Sequence, residues 1–175
     1  MTRLILIGFM GSGKTTLGRA LSKALGMEFI DLDNYIETRH CKSINQLFAE
    51  RGEDGFRKIE QSLLHEVCEF EDVIISSGGG TPCFFDNMEY MNRQGTTIYL
   101  HVPNSRLFER LSIAKSKRPL LKDKNDEEIV AFIEEQIKKR EPFYSQAKHT
   151  FEADRLENRE QITESVERFR EQFGL

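Results

Sequence analysis

Gly8-Phe9-Met10-Gly11-Ser12-Gly13-Lys14-Thr15 has the spacing G-x-x-x-x-G-K-[ST]. Those residue types at those offsets suit one task, which is to hold the phosphates of a nucleoside triphosphate. The glycines let backbone N–H groups turn inward with no Cβ in the way. The lysine reaches the β- and γ-phosphates, and the Thr15 hydroxyl is a ligand for Mg²⁺. A helix opening at this point adds the positive end of its dipole. Other candidates are less decisive. Asp31 and Asp33 are two apart at the end of an apolar run, so on a strand both side chains point to one face. The same pair equally suits capping of the next helix. Arg57, within Phe56-Arg57-Lys58-Ile59-Glu60, suits a helix surface as well as an anion site. Gly78-Gly79-Gly80 is compatible with a simple turn, but three glycines in a row cost backbone entropy and also fit close approach of a ligand.

These residues need a frame. Leu4–Ile7 is a continuous apolar, β-branched run, the pattern of a strand buried on both faces. Leu17, Ala20, Leu21, Ala24 and Leu25 recur at helical spacing, and Gly26 stops the helix. Glu28–Asp33 reads as a second strand and Val73–Ser76 as a third. Between them, Tyr35 to about Cys68 reads as mostly helical, broken near Gly52 and Gly55. Met88–Arg93 reads as a short helix, Thr97–Val102 as a fourth strand and Arg106–Ile113 as a helix. Lys115–Asn125 has no apolar period and reads as a mobile loop. Glu127–Arg140 is a helix with Ile129, Phe132, Ile133 and Ile137 on one stripe. Thr150–Glu152 is a weaker fifth strand, and Ile162, Val166, Phe169 and Phe173 mark a last amphipathic helix. Strands alternating with helices predict an α/β domain with a parallel sheet and helices on both faces. No repeat, linker or low-complexity segment divides the 175 residues, which suggests one domain.

Composition narrows the partners. Charged residues are 31%, and the net charge is −4, so a polyanion or an anionic membrane surface is a poor match. The charge is unevenly placed, however: residues 104–124 carry seven basic and two acidic groups. Cys41, Cys68 and Cys83 are odd in number and widely spaced. They form no CxxC or Cys/His pattern, which argues against a zinc site or a disulfide framework and for a reducing compartment. The first residues lack the length of a signal-peptide core, and no apolar run approaches the roughly 20 residues of a membrane span. A cytoplasmic monomer is expected. A switch GTPase would need D-x-x-G, which is absent. Asp123-Lys124-Asn125-Asp126 misses N-K-x-D at its first position. A small-molecule kinase fits better than a GTPase or a motor ATPase. The four histidines are scattered and read as structural or solvated.

Several motifs taken together resemble the shikimate kinase family. They are Gly8–Thr15, Phe29–Asp33 with Ile36-Glu37, Ser43-Ile44 with Leu47-Phe48, and Gly52-Glu53 with Phe56-Arg57 and Glu60. Ser77–Gly80, Arg118-Pro119-Leu120-Leu121, and Arg140-x-Pro142-x-Tyr144 with Ala147 complete the set. Their order and spacing cover about residues 4–154. Gluconate and adenylate kinases share the phosphate loop without this set, and a gluconate-type kinase is the alternative. The resemblance implies a P-loop, nucleoside-monophosphate-kinase-like fold. It has a five-stranded parallel sheet, a lid at about 112–125 and an acceptor segment at about 33–61. It implies phosphorylation of the 3-hydroxyl of shikimate by ATP with Mg²⁺. It assigns ATP to Gly11, Ser12, Gly13, Lys14, Thr15, Thr16 and Arg118, and the metal to Thr15 and Asp31. Asp33, Arg57, Gly79, Gly80 and Arg140 would hold shikimate, with Lys14, Asp33 and Arg118 catalytic. Some members place an adenine-contacting arginine seven residues before the lid arginine. Here Leu111 stands there, and Arg110 is one residue earlier.

Overall fold

The computed structural model describes residues 2–117 and 120–175. Arg118 and Pro119 lie outside the described residues. Five strands, β1 (Arg3–Ile7), β2 (Glu28–Asp31), β3 (Val73–Ser76), β4 (Thr96–His101) and β5 (His149–Glu152), form one sheet in the order β2-β3-β1-β4-β5. Every pairing is parallel. β1 sits at the centre, and its Ile5, Leu6 and Ile7 are completely buried, as are Val73, Ile74 and Ile75 of β3. This is why both runs are apolar without alternation: helices cover each face of the sheet. The chain leaves β1 toward one edge, returns through β3 and crosses β1 to reach β4. Ligands of such sheets bind beyond the carboxyl ends of the strands, where the winding reverses.

Among the described residues, α1 (Lys14–Leu25), α2 (Leu32–His40), α3 (Ile44–Val67), α4 (Asn87–Gln94), α5 (Asn104–Ile113) and α6 (Asp126–Tyr144) connect the strands, and α7 (Arg159–Phe173) follows the last one. α1 packs along the sheet through Leu17 and Leu21. Gly18 lets it close in, since a Cβ there would meet the Phe29 ring at 2.4 Å. α3 carries a break at Gly52 (φ 68°, ψ 178°) and continues helically through Gly55.

Several boundaries differ from the sequence reading, and those nearest the site matter most. The second strand ends at Asp31, and Asp33 lies in the first turn of α2. Asp31 is the cap: its carboxylate accepts the Asn34 N–H at 3.2 Å and turns the chain into the helix. Asp31 and Asp33 therefore do not share a strand face. α6 runs past Arg140 to Tyr144 with Pro142 inside it. A proline so near a helix end deletes one hydrogen bond where little helix remains to be lost. The segment 115–125 includes a 3₁₀ turn at Lys115–Lys117 and a fully buried Leu121 that anchors it to the core, while Ile113 and Leu120 stay in water. Asn125, within the near match to N-K-x-D, caps α6 reciprocally with Glu128.

Candidate active site

The loop between β1 and α1 turns through three glycines with positive φ: Gly8 (150°), Gly11 (79°) and Gly13 (95°). At Gly8 a side chain would also strike the Leu100 carbonyl, at 2.9 Å from the Cβ position. The loop closes on itself: Lys14 donates to the carbonyls of Gly8 (2.7 Å) and Phe9 (3.0 Å). It forms one wall of a cleft of about 340 Å³. Gly11, Gly13, Lys14, Thr15 and Thr16 line it, and so do Asp31, Asp33 and Gly79. Ser12 does not. Its hydroxyl is buried without a partner, and its N–H is committed to the Phe9 carbonyl at 3.1 Å.

The metal candidates meet at the open side of the loop. The Thr15 hydroxyl donates to Asp31 Oδ2 at 2.9 Å. Two hard oxygen donors at this place suit Mg²⁺, which takes one or two protein oxygens and fills its shell with water and phosphate. Among the described residues no group of three His, Cys, Asp or Glu side chains could hold a metal ion by itself. The Thr15 hydroxyl and the Asp31 carboxylate are the two donors present for such an ion.

Asp33 is exposed where it lines the cleft, and protein crowds its carboxyl elsewhere. That enclosure pushes its carboxyl up to about 6. Repulsion from Asp31 and Glu60 adds to the rise, and Lys14 opposes it. The glycine run brings the rest together. A Cβ on Gly78 would lie 3.0 Å from Asp33 Oδ1, one on Gly79 3.1 Å from Arg140 Nη1, and one on Gly80 2.8 Å from Arg57 Nη2. One carboxylate and two guanidinium groups thus converge on three consecutive residues. The glycines are there because side chains from α2, α3 and α6 occupy the space a Cβ would take.

Each partner is braced. Arg57 pairs with Glu60 at 2.8 Å, and Glu60 accepts from the Thr81 hydroxyl at 2.8 Å through its other oxygen. Glu60 is buried, and the i,i+3 spacing puts it on the Arg57 face of α3. Arg140 lies over the Phe9 ring, 5.4 Å from its centroid. Four residues on, Tyr144 donates its hydroxyl to the Gly79 carbonyl at 2.6 Å. Burial pushes that phenol up to about 12, so it remains a donor.

At the other end of the cleft, Arg110 rather than Leu111 faces inward. Leu111 is wholly buried. Arg110 donates to the carbonyls of Gly11 (3.1 Å) and Ala153 (2.9 Å) and pairs with Glu157 at 2.8 Å. Leu156 and Glu157, also on the cleft wall, carry no motif and stand more than forty residues from Arg110. Only the fold joins them. No histidine lines the cleft. His65 stacks on Tyr90 at 3.8 Å, and His101 bonds Glu152 at 2.8 Å.

The family model for shikimate kinase matches residues 10–170. The chain belongs to the shikimate kinase family. It is 59% identical to a shikimate kinase of Phocaeicola vulgatus, with 99% of each chain covered. The fold is similar to the crystal structure of a shikimate kinase from Bacteroides thetaiotaomicron (TM-score 0.94, 52% identity, 99% of each chain). It is also similar to an Acinetobacter baumannii shikimate kinase in complex with shikimate (TM-score 0.83, 30% identity, 99% of this chain and 94% of that one). A gluconokinase from Sinorhizobium meliloti shares the fold alone (TM-score 0.55, 14% identity, 98% and 95%). Among the described residues no helix is long and apolar enough to cross a membrane.

Proposed function

We propose that this shikimate kinase family member transfers the γ-phosphoryl group of ATP to the 3-hydroxyl of shikimate, giving shikimate 3-phosphate and ADP. The observation that carries the reading is the convergence of Asp33, Arg57 and Arg140 on Gly78–Gly80, beside the phosphate loop. Shikimate has one carboxylate and three hydroxyls. Two guanidinium groups suit the carboxylate, because each offers a planar fork of donors. A carboxylate with its pKa raised to about 6 suits a reacting hydroxyl.

In the transfer, the hydroxyl oxygen forms a bond to the γ-phosphorus as the bond to the β,γ-bridging oxygen breaks. The electron pair of that bond leaves with ADP, and the hydroxyl proton passes to Asp33. Such a reaction asks the protein mainly for positioning and charge stabilisation. Lys14 would leave its loop carbonyls to reach the phosphates. Gly11, Gly13, Thr15 and Thr16 would hold them, and Arg118 takes the charge-neutralising role that family membership suggests. Thr15 and Asp31 would hold Mg²⁺, which would supply positive charge to offset that of the phosphates. Arg57 and Arg140 hold the acceptor and do not react.

The product distinguishes this reading from its neighbours. Phosphorus and proton NMR of the product from shikimate and MgATP should show a single monoester at the 3-position. Phosphate at another hydroxyl would overturn the placement of Asp33. Chelation with EDTA should stop turnover, and added Mg²⁺ should restore it.

A further inference from the structure

We infer that Phe84 is a positioning residue for the acceptor, holding the plane of the Arg57 guanidinium with the face of its ring. The inference rests on the reading of Arg57 as a ligand of the substrate carboxylate. Arg57 has few polar restraints. Nη1 meets Glu60 at 2.8 Å, Nε is buried without a hydrogen-bond partner, and the Glu53 carboxylate is 3.9 Å away and largely exposed. A single hydrogen bond fixes one corner of a planar group and leaves rotation about that contact. The plane itself needs a second surface. Phe84 supplies it: the guanidinium carbon is 3.9 Å from its ring centroid, against 5.4 Å for Phe56 and 5.8 Å for Phe48.

The arrangement comes from one short segment. Thr81–Cys83 forms a 3₁₀ turn directly after the glycine run. Its first residue secures Glu60, and hence the guanidinium edge, and the residue after it secures the face. Phe85 then takes a left-handed φ of 50° and is 56% exposed. An aromatic residue in that region is strained, and the kink leaves Phe84 turned inward while Phe85 faces water. Phe48 and Phe56 stack at 4.2 Å beside the cation and reduce its contact with water, which strengthens a cation–π contact. Nη2 makes no hydrogen bond to any described residue and lies against Gly80, so its donors stay available to an incoming carboxylate.

The test is steady-state kinetics with shikimate and with its carboxyl methyl ester, for the parent, Phe84→Leu, Phe84→Tyr and Arg57→Lys. Leucine keeps the apolar bulk and removes the ring face; tyrosine keeps both. We expect Phe84→Leu to raise the KM for shikimate about three- to thirtyfold. The KM for ATP and kcat should stay near the parent's. Discrimination between acid and ester should fall with it, and Phe84→Tyr should restore both. If Arg57→Lys collapses the discrimination and Phe84→Leu does not, the role of Phe84 is overturned while that of Arg57 stands. If Arg57→Lys leaves the discrimination intact, the reading of Arg57 fails and takes this inference with it. A Phe84→Leu protein with a lower Tm and both KM values raised together would mark a merely structural role and overturn the inference.

Discussion

In the proposed reaction Asp33 is useful for the same reason that it is costly to the folded chain. The fold disfavours its ionised form, through enclosure first and then through Asp31 and Glu60. Its pKa is about 6 in the fold against an ordinary 3.8. The charge therefore costs stability above pH 6, and that cost is relieved as pH falls toward 4. The catalytic consequence has the opposite sign, because only the ionised form accepts a proton. At saturating MgATP, kcat/KM for shikimate should fall tenfold per pH unit below about 6. A limb near 4, or none, would contradict the role. Asp33→Asn should lose at least about 10²-fold in turnover, while its Tm at pH 8 equals or exceeds the parent's. A less stable Asp33→Asn protein with near-normal turnover would reverse both conclusions. Arg57→Lys should raise the KM for shikimate well beyond twofold, since an ammonium cannot copy the fork.

At the scale of elements, the site is made by three helices reaching one turn. α2 brings Asp33, α3 brings Arg57, and α6 brings Arg140, each to its own glycine. A methyl group at Gly80 would sit within 2.8–3.2 Å of three atoms of the Arg57 guanidinium. Gly80→Ala should therefore displace it and lower kcat/KM for shikimate by up to about 10²-fold, with circular dichroism unchanged. An unchanged kcat/KM would mean the close approach is incidental. The sequence made most of these elements legible. β1, β3 and the phosphate loop carry patterns that few other structures explain. The strand-to-helix change at Asp31 was not legible, because Leu32 continues the apolar run and period alone cannot place the turn. The bracing by Glu60 was half legible: the i,i+3 spacing from Arg57 is visible, but not that Thr81 and Glu60 meet in the core. The staple of Arg110 on Glu157 was invisible, since nothing local joins two residues brought together only by the sheet.

For the whole molecule, a net charge of −4 accompanies two anionic ligands. Local placement reconciles them. Lys14 lies in the loop, Arg110 at the cleft's far end, and Arg57 and Arg140 against Gly80 and Gly79, while most carboxylates face outward. Asp31, Asp33 and Glu157 are the exceptions on the cleft wall, and Glu157 is paired with Arg110. MgATP binding should then stabilise the fold by mass action. At a hundred times its Kd the gain is about 2.7 kcal/mol, or roughly 5–10 °C in Tm for a chain this long. Asp33→Asn should keep that shift while losing turnover, which separates nucleotide binding from chemistry.

The glycine run and its two arginines should select shikimate over other hydroxylated acceptors. The most direct test is ADP release coupled to NADH oxidation, with shikimate and gluconate offered in turn at equal concentration. MgATP-dependent turnover is expected with shikimate and only background with gluconate. Background rates with shikimate, or equal rates with the two acceptors, would contradict it.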